Sequence, residues 1–177
     1  MMLFSSMFIG VHSLGMKSRL LIPFFLLFSL TPQPARAESH WTWPVEGTHL
    51  VLNTFDKPDQ NWLPGHRGID IDALYGRVVV AAGAGNVIFA GLIAGKGVIT
   101  ISHGDLHTSY EPVLPLVEVG AKVKKGQRIG FVAPGVSHCS LQVTPTCLHW
   151  GLKRGTEYLD PMSLLRPKAR LLPLKRR

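Results

Sequence analysis

Between Val51 and Leu152 the apolar residues come in short runs or in alternation with polar ones, and Gly or Pro closes most runs. The 3.6-residue repeat of an amphipathic helix is nearly absent, so the pattern predicts strands. Residues 77–82, 86–90, 97–103, 107–111 and 147–153 are each predicted to be a strand, and 131–133 continues the series. Residues 83–85 and the Gly104-Asp105 pair are predicted turns. The glycines at 120, 126 and 130 suit tight turns between short strands packed in layers. Asp160 as cap and Pro161 at a first helical position predict a short closing helix to Leu165. The expected fold is all-β: an antiparallel β-sandwich or barrel-sandwich hybrid core of short strands, ending in a short helix.

The two ends depart from this pattern. Lys17 and Arg19 precede an apolar run, Leu20 to Leu30, that Pro23 interrupts and that is about half the length a bilayer span needs. Ala35-Arg36-Ala37 follows as a signal-peptidase pattern. Residues 1–37 are therefore expected to be a signal peptide cleaved near Ala37, and a start at Met16 in place of Met1 gives it ordinary proportions. Residues 38–165 are expected to form one core domain and residues 166–177 a basic tail. The formal charge of +8 sits at these ends: between Glu38 and Leu165 ten basic residues face eleven acidic ones, a net of −1. A near-neutral core with no basic stripe interleaved with aromatics argues against nucleic acid. The tail is suited to an anionic wall polymer or a membrane surface. Export also places both cysteines, Cys139 and Cys147, where disulfides persist.

The chemistry starts at His66-Arg67-Gly68-Ile69-Asp70. Glycine and β-branched neighbours favour an extended segment, and an even spacing then sends His66 and Asp70 out by one face. An imidazole and a carboxylate on one face can hold Zn²⁺, and a later His supplies a third ligand while leaving a position for water.

The order of motifs resembles peptidase family M23, the lysostaphin/LytM-type peptidoglycan hydrolases, and looks most like an exported actinobacterial branch. The matching parts are HRGIDID at 66–72, GRVVVAAGAGNVIFAG at 76–91, VITISHGD at 98–105, TSY at 108–110, VEVGAKVKKGQRIG at 117–130, CLHWGL at 147–152 and YLDP at 158–161. Singly each is weak; together, in the family's order, they are specific. The resemblance implies a Zn²⁺ site on His66, Asp70 and His149 and a peptidoglycan peptide as substrate, in a secreted or wall-associated protein. It also implies two catalytic histidines, and this chain has neither: Cys147 stands at the first and Pro112 at the second.

Three residues are candidates for the missing catalytic role. His138 adjoins Cys139, so a Cys139–Cys147 disulfide would draw it toward the end of the last strand. Glu111 is a carboxylate suited to general-base work, although alternation from Tyr110 points it away from the expected metal face. Tyr110 is expected on that face as an oxyanion donor or as a packing residue. Cys147 itself has three readings: the disulfide, a fourth zinc ligand, or a free thiol. Trp43, Trp62 and Trp150 are candidates to line a groove, with core packing the stronger reading for Trp150. Arg67 and Asp72 flank the ligands as orienting groups or surface ion-pair members. The leading expectation is a zinc metalloendopeptidase acting on peptidoglycan peptides. The alternative is a non-catalytic relative that keeps the ligands and binds wall or regulates a hydrolase.

Overall fold

The computed structural model describes residues 39–47, 49–134, 139 and 146–166. The proposed signal segment, most of the basic tail and His138 lie outside the described residues.

The short apolar runs become eleven strands. They are β1 (Val51–Asn53), β2 (Gly68–Asp72), β3 (Val78–Val80), β4 (Gly85–Ile93), β5 (Lys96–Ser102) and β6 (Leu106–Glu111). Then follow β7 (Val113–Pro115), β8 (Lys122–Val123), β9 (Arg128–Val132), β10 (Cys147–Arg154) and β11 (Glu157–Leu159). A single helix, α1 (Met162–Leu165), closes the described chain. The five predicted strands are all present, with ends shifted by a few residues. Composition hid β1, β7 and β11, which are only three residues long. At the helix start Pro161 takes the cap position, and the Asp160 Oδ1 accepts the Met162 N–H at 2.9 Å from one residue further back.

One sheet has the order β1-β2-β10-β6-β5-β4-β8, with β11 also paired to β10; the other has the order β3-β9-β7. All the pairings are antiparallel. Alternation along the central strands builds the core between the two sheets. Ile69 and Ile71 of β2, Leu148 and Trp150 of β10, Tyr110 of β6, and Ile99 and Ile101 of β5 are buried together with Val79, Ile129, Val132 and Val113 of the second sheet. Full burial of each aliphatic side chain contributes about 1.5–3 kcal/mol, which makes this layer the main source of stability. The opposite face of β2, β10 and β6 carries Asp70, His149 and Glu111, so the core-facing residues fix the position of the polar ones between them.

Among the described residues no helix is long and apolar enough to cross a membrane.

Candidate metal centre

Two strands and one loop end bring His66, Asp70 and His149 together. In the pairing of β2 with β10, Asp70 lies opposite His149, with Ile71 opposite Leu148 and Ile69 opposite Trp150 on the other face. His66 precedes β2 and is held by a bridge to Asp56, whose backbone exchanges hydrogen bonds with it at 2.8 and 3.0 Å. The His66 Nε2 lies 3.1 Å from Asp70 Oδ1 and 3.1 Å from His149 Nδ1, and the latter two atoms are 2.9 Å apart. Asp70 is fully buried, whereas the His66 and His149 side chains keep 21% and 12% of their surface. The triangle therefore opens to solvent on its imidazole side.

A neutral His66 does not satisfy this triangle. His66 Nδ1 is 2.7 Å from the Thr54 carbonyl, which only accepts, so Nδ1 carries a proton. In a neutral ring Nε2 is then a lone pair aimed at the carboxylate oxygen of Asp70, and both are acceptors. A proton or a cation must lie between them. The His66 pKa is accordingly raised above the usual 6.5, first by its hydrogen bond with Asp70, against the opposing effect of burial. A tetrahedral zinc ion with ligand bonds of 2.0–2.1 Å keeps its ligand atoms about 3.3 Å apart, close to the spacings here. The donor set of two imidazoles and one carboxylate, open on one side, fits Zn²⁺.

Residues that the sequence did not single out support the triangle. Asn53 Nδ2 donates to the other carboxylate oxygen, Asp70 Oδ2, at 2.8 Å. Together with the Thr54 carbonyl it fixes the orientation of two of the three side chains. A backbone carbonyl and a lone asparagine carry no sequence signal. Gly68 is a further member, because a Cβ there would lie 2.7 Å from His149 Nε2 and 2.5 Å from the Trp150 carbonyl. Its place inside HRGIDID was visible, but its reason was not.

The catalytic candidates fall differently from expectation. Tyr110 is not on the metal face. It pairs with Trp150 and Ile99, is fully buried in the core, and its pKa is pushed up to about 12 by that burial. Glu111 pairs directly with His149 and so shares the ligand face. The expectation was inverted because it carried alternation through Pro112; β6 ends at Glu111, and the chain then crosses into β7 of the other sheet. Glu111 is half-buried, with Lys96 Nζ 3.4 Å from its carboxylate.

Cys139 and Cys147 form a disulfide, with Cα atoms 6.0 Å apart. Trp150 is in the core; Trp43 stacks on His49 with ring centres 4.5 Å apart; Trp62 is 79% exposed. Arg67 donates to the Asn61 and Leu63 carbonyls on either side of Trp62 and lies over the Tyr158 ring. It braces the loop before His66. His103 is structural. Its Nδ1 donates to Ala84 O, and its Nε2 accepts from Thr108, whose hydroxyl meets Tyr110.

Comparison with known proteins agrees with the fold. The model of peptidase family M23 matches residues 64–161, and the chain belongs to that family. The chain is 43% identical over 148 residues to the uncharacterized protein Rv2891 of Mycobacterium tuberculosis, covering 80% of this chain and 58% of that protein. It is 30% identical over 132 residues to the murein hydrolase activator NlpD of Escherichia coli, covering 72% of this chain and 31% of that one. The chain thus spans little more than half of the first of these relatives. Helicobacter pylori Csd3 superimposes with a TM-score of 0.59 at 26% identity, over 75% of this chain and 36% of that one. Lysostaphin, at 22% identity and a TM-score of 0.53 over 69% of this chain and 54% of that one, shares the fold.

Proposed function

We propose that the chain is a zinc metalloendopeptidase acting on the peptides of peptidoglycan in the cell envelope. The observation that carries this reading is the His66–Asp70–His149 triangle, whose donor set and spacing suit Zn²⁺. Zn²⁺ held there supplies Lewis acidity toward a peptide carbonyl and makes water a nucleophile near neutral pH. The chain's own residues supply the rest. Thr54 and Asn53 hold His66 and Asp70 in place. Glu111, directly across from His149, is the group positioned to take and return the proton, and Lys96 holds its carboxylate. Membership of family M23 supports the peptide-hydrolase reading. The names of relatives support the compartment: one is the murein hydrolase activator NlpD and another the lipoprotein YgeR of Escherichia coli, 32% identical. The signal-peptide pattern at 1–37 points the same way, and the basic tail is the part suited to an anionic envelope polymer.

A second reading rests on the resemblance drawn from the sequence, which implies that Cys147 and Pro112 stand where the family has its two catalytic histidines. On that reading the chain binds wall peptide and regulates a partner hydrolase, as the name of NlpD says of that protein.

Zinc analysis of the purified chain together with digestion of purified wall separates the two. The peptidase reading expects bound zinc and released peptide termini, with Glu111→Gln losing release and keeping zinc. Bound zinc with no release from any wall, and acceleration of an added hydrolase, would establish the second reading. A zinc-free chain would reject the site.

A further inference from the structure

The disulfide is built against the metal centre. Cys147 and His149 leave β10 by the same face, and Cys147 pairs with Asp72 where His149 pairs with Asp70. Both cysteines are fully buried. Their sulfurs and a carboxylate oxygen of Asp70 all lie within 4.8 Å of one another. Asp70 belongs to both groups. Beside them Asp72 Oδ1 is buried with no hydrogen-bond partner among the described residues. A buried carboxylate oxygen without a donor is costly, and a free thiol at Cys147 would give it a donor that the disulfide does not.

From this we infer a second zinc site: in the dithiol state the chain holds the ion through Cys139, Cys147 and Asp70, with His149 as the fourth ligand. The inference rests on the zinc reading of the first site. In the step that creates it, the Sγ–Sγ bond breaks, and a dithiol reductant gives two electrons and two protons and leaves as its own disulfide. Two thiols result, one of which can donate to Asp72 Oδ1. On taking the metal, the two thiols release their protons to solvent. Zn–S bonds of 2.3 Å place tetrahedral sulfurs about 3.8 Å apart, so the two sulfurs part by about 2 Å, which the reach of two side chains covers.

The two sites differ in kind. The His66–Asp70–His149 site has three protein ligands and an open position, the pattern of catalytic zinc. The dithiol site has four protein ligands, two of them thiolates, the pattern of structural zinc. Because Asp70 and His149 are shared, the sites exclude each other. A chain in a reducing compartment stores its zinc in closed form, and oxidation to the disulfide returns the ion to the open site.

Cobalt titration of the full chain tests this, before and after reduction with a trialkylphosphine, which is a poor metal ligand. The reduced chain should show intense near-ultraviolet sulfur-to-cobalt absorption and hold zinc at least about tenfold more tightly in competition with a chelator. The oxidised chain should show only the weak visible bands of nitrogen and oxygen ligands. Cys139→Ser and Cys147→Ser should each abolish the sulfur band. His66→Ala should lose metal when oxidised and keep it when reduced. A reduced chain without the sulfur band, or one whose near-ultraviolet dichroism collapses before metal is added, overturns the inference. If the oxidised chain still binds cobalt in that case, the open site stands. If the sulfur band appears and the oxidised chain binds nothing, the inference stands and the open-site reading falls.

Discussion

Replacing Tyr110 by Phe removes one oxygen from the middle of the core. That oxygen accepts the Ala82 N–H at 3.0 Å and lies 2.8 Å from the Thr108 hydroxyl. The directions of the chain follow from its ends: His103 Nδ1–H donates to Ala84 O, so Nε2 accepts from Thr108, Thr108 accepts from Tyr110, and Tyr110 accepts from Ala82. Ala82, Thr108 and Tyr110 are each fully buried, so no water replaces the missing oxygen. An orphaned buried donor costs about 1–3 kcal/mol, and the lost Tyr–Thr bond about 1 kcal/mol more. The expected loss is about 2–4 kcal/mol, a large part of the 5–15 kcal/mol typical of a domain. Urea unfolding of wild type, Tyr110→Phe, Thr108→Val and the double variant measures it. The double variant should cost less than the sum of the singles, because both delete the same bond. Zinc content of the folded fraction should be unchanged. A Tyr110→Phe effect below about 0.5 kcal/mol, or loss of hydrolysis with fold and zinc intact, would refute the reasoning and return Tyr110 to the reacting site.

Three further outcomes are expected. Removing the amide in Asn53→Ala should weaken zinc affinity about 10–100-fold in chelator competition with little change in unfolding, the range found when groups orienting metal ligands are removed; Gly68→Ala should do at least as much, by driving a methyl into the His149 ring. In the metal-free chain, NMR titration should find His66 above 6.5, raised by Asp70, and His103 below 6.5, lowered by burial. The sign for His103 follows: its unfolded form takes the proton first, so its contribution to stability is complete above 6.5 and is lost as pH falls through the lower folded value, whereas the His66 contribution is present below 6.5 and fades as pH rises through its higher one. Finally, replacing both cysteines by Ser opens a loop of sequence separation 8 and should cost about 2.5 kcal/mol of unfolding free energy on the chain-entropy model; no change in melting would show the loop to be constrained without it.

Much of this was readable in advance, and the failures have identifiable causes. Strand existence followed from apolar alternation, and the even spacing of β2 and β10 is what places Asp70 and His149 on one face. Tyr110 and Glu111 were inverted because alternation holds only within a strand, and β6 stops at Glu111. The strands lost to view, β1, β7 and β11, are too short to show a period. Asn53 and the Thr54 carbonyl act through contacts across the sheet and the loop, which no local pattern encodes. The disulfide was one of three readings open for Cys147 and is the one the structure holds, but its closeness to Asp70 required the register of β2 with β10.

That register has a consequence for how the protein assembles. Ile69, Asp70 and Ile71 face Trp150, His149 and Leu148 in strict alternation. Slipping one strand by a single residue would put a carboxylate or an imidazole into the apolar layer and leave an isoleucine over the metal position. A misaligned sheet could neither close its interior nor collect three ligands. Metal uptake at the proposed site would thus be a readout of correct strand pairing, and an ion bound late in folding would select the one alignment in which both faces are satisfied.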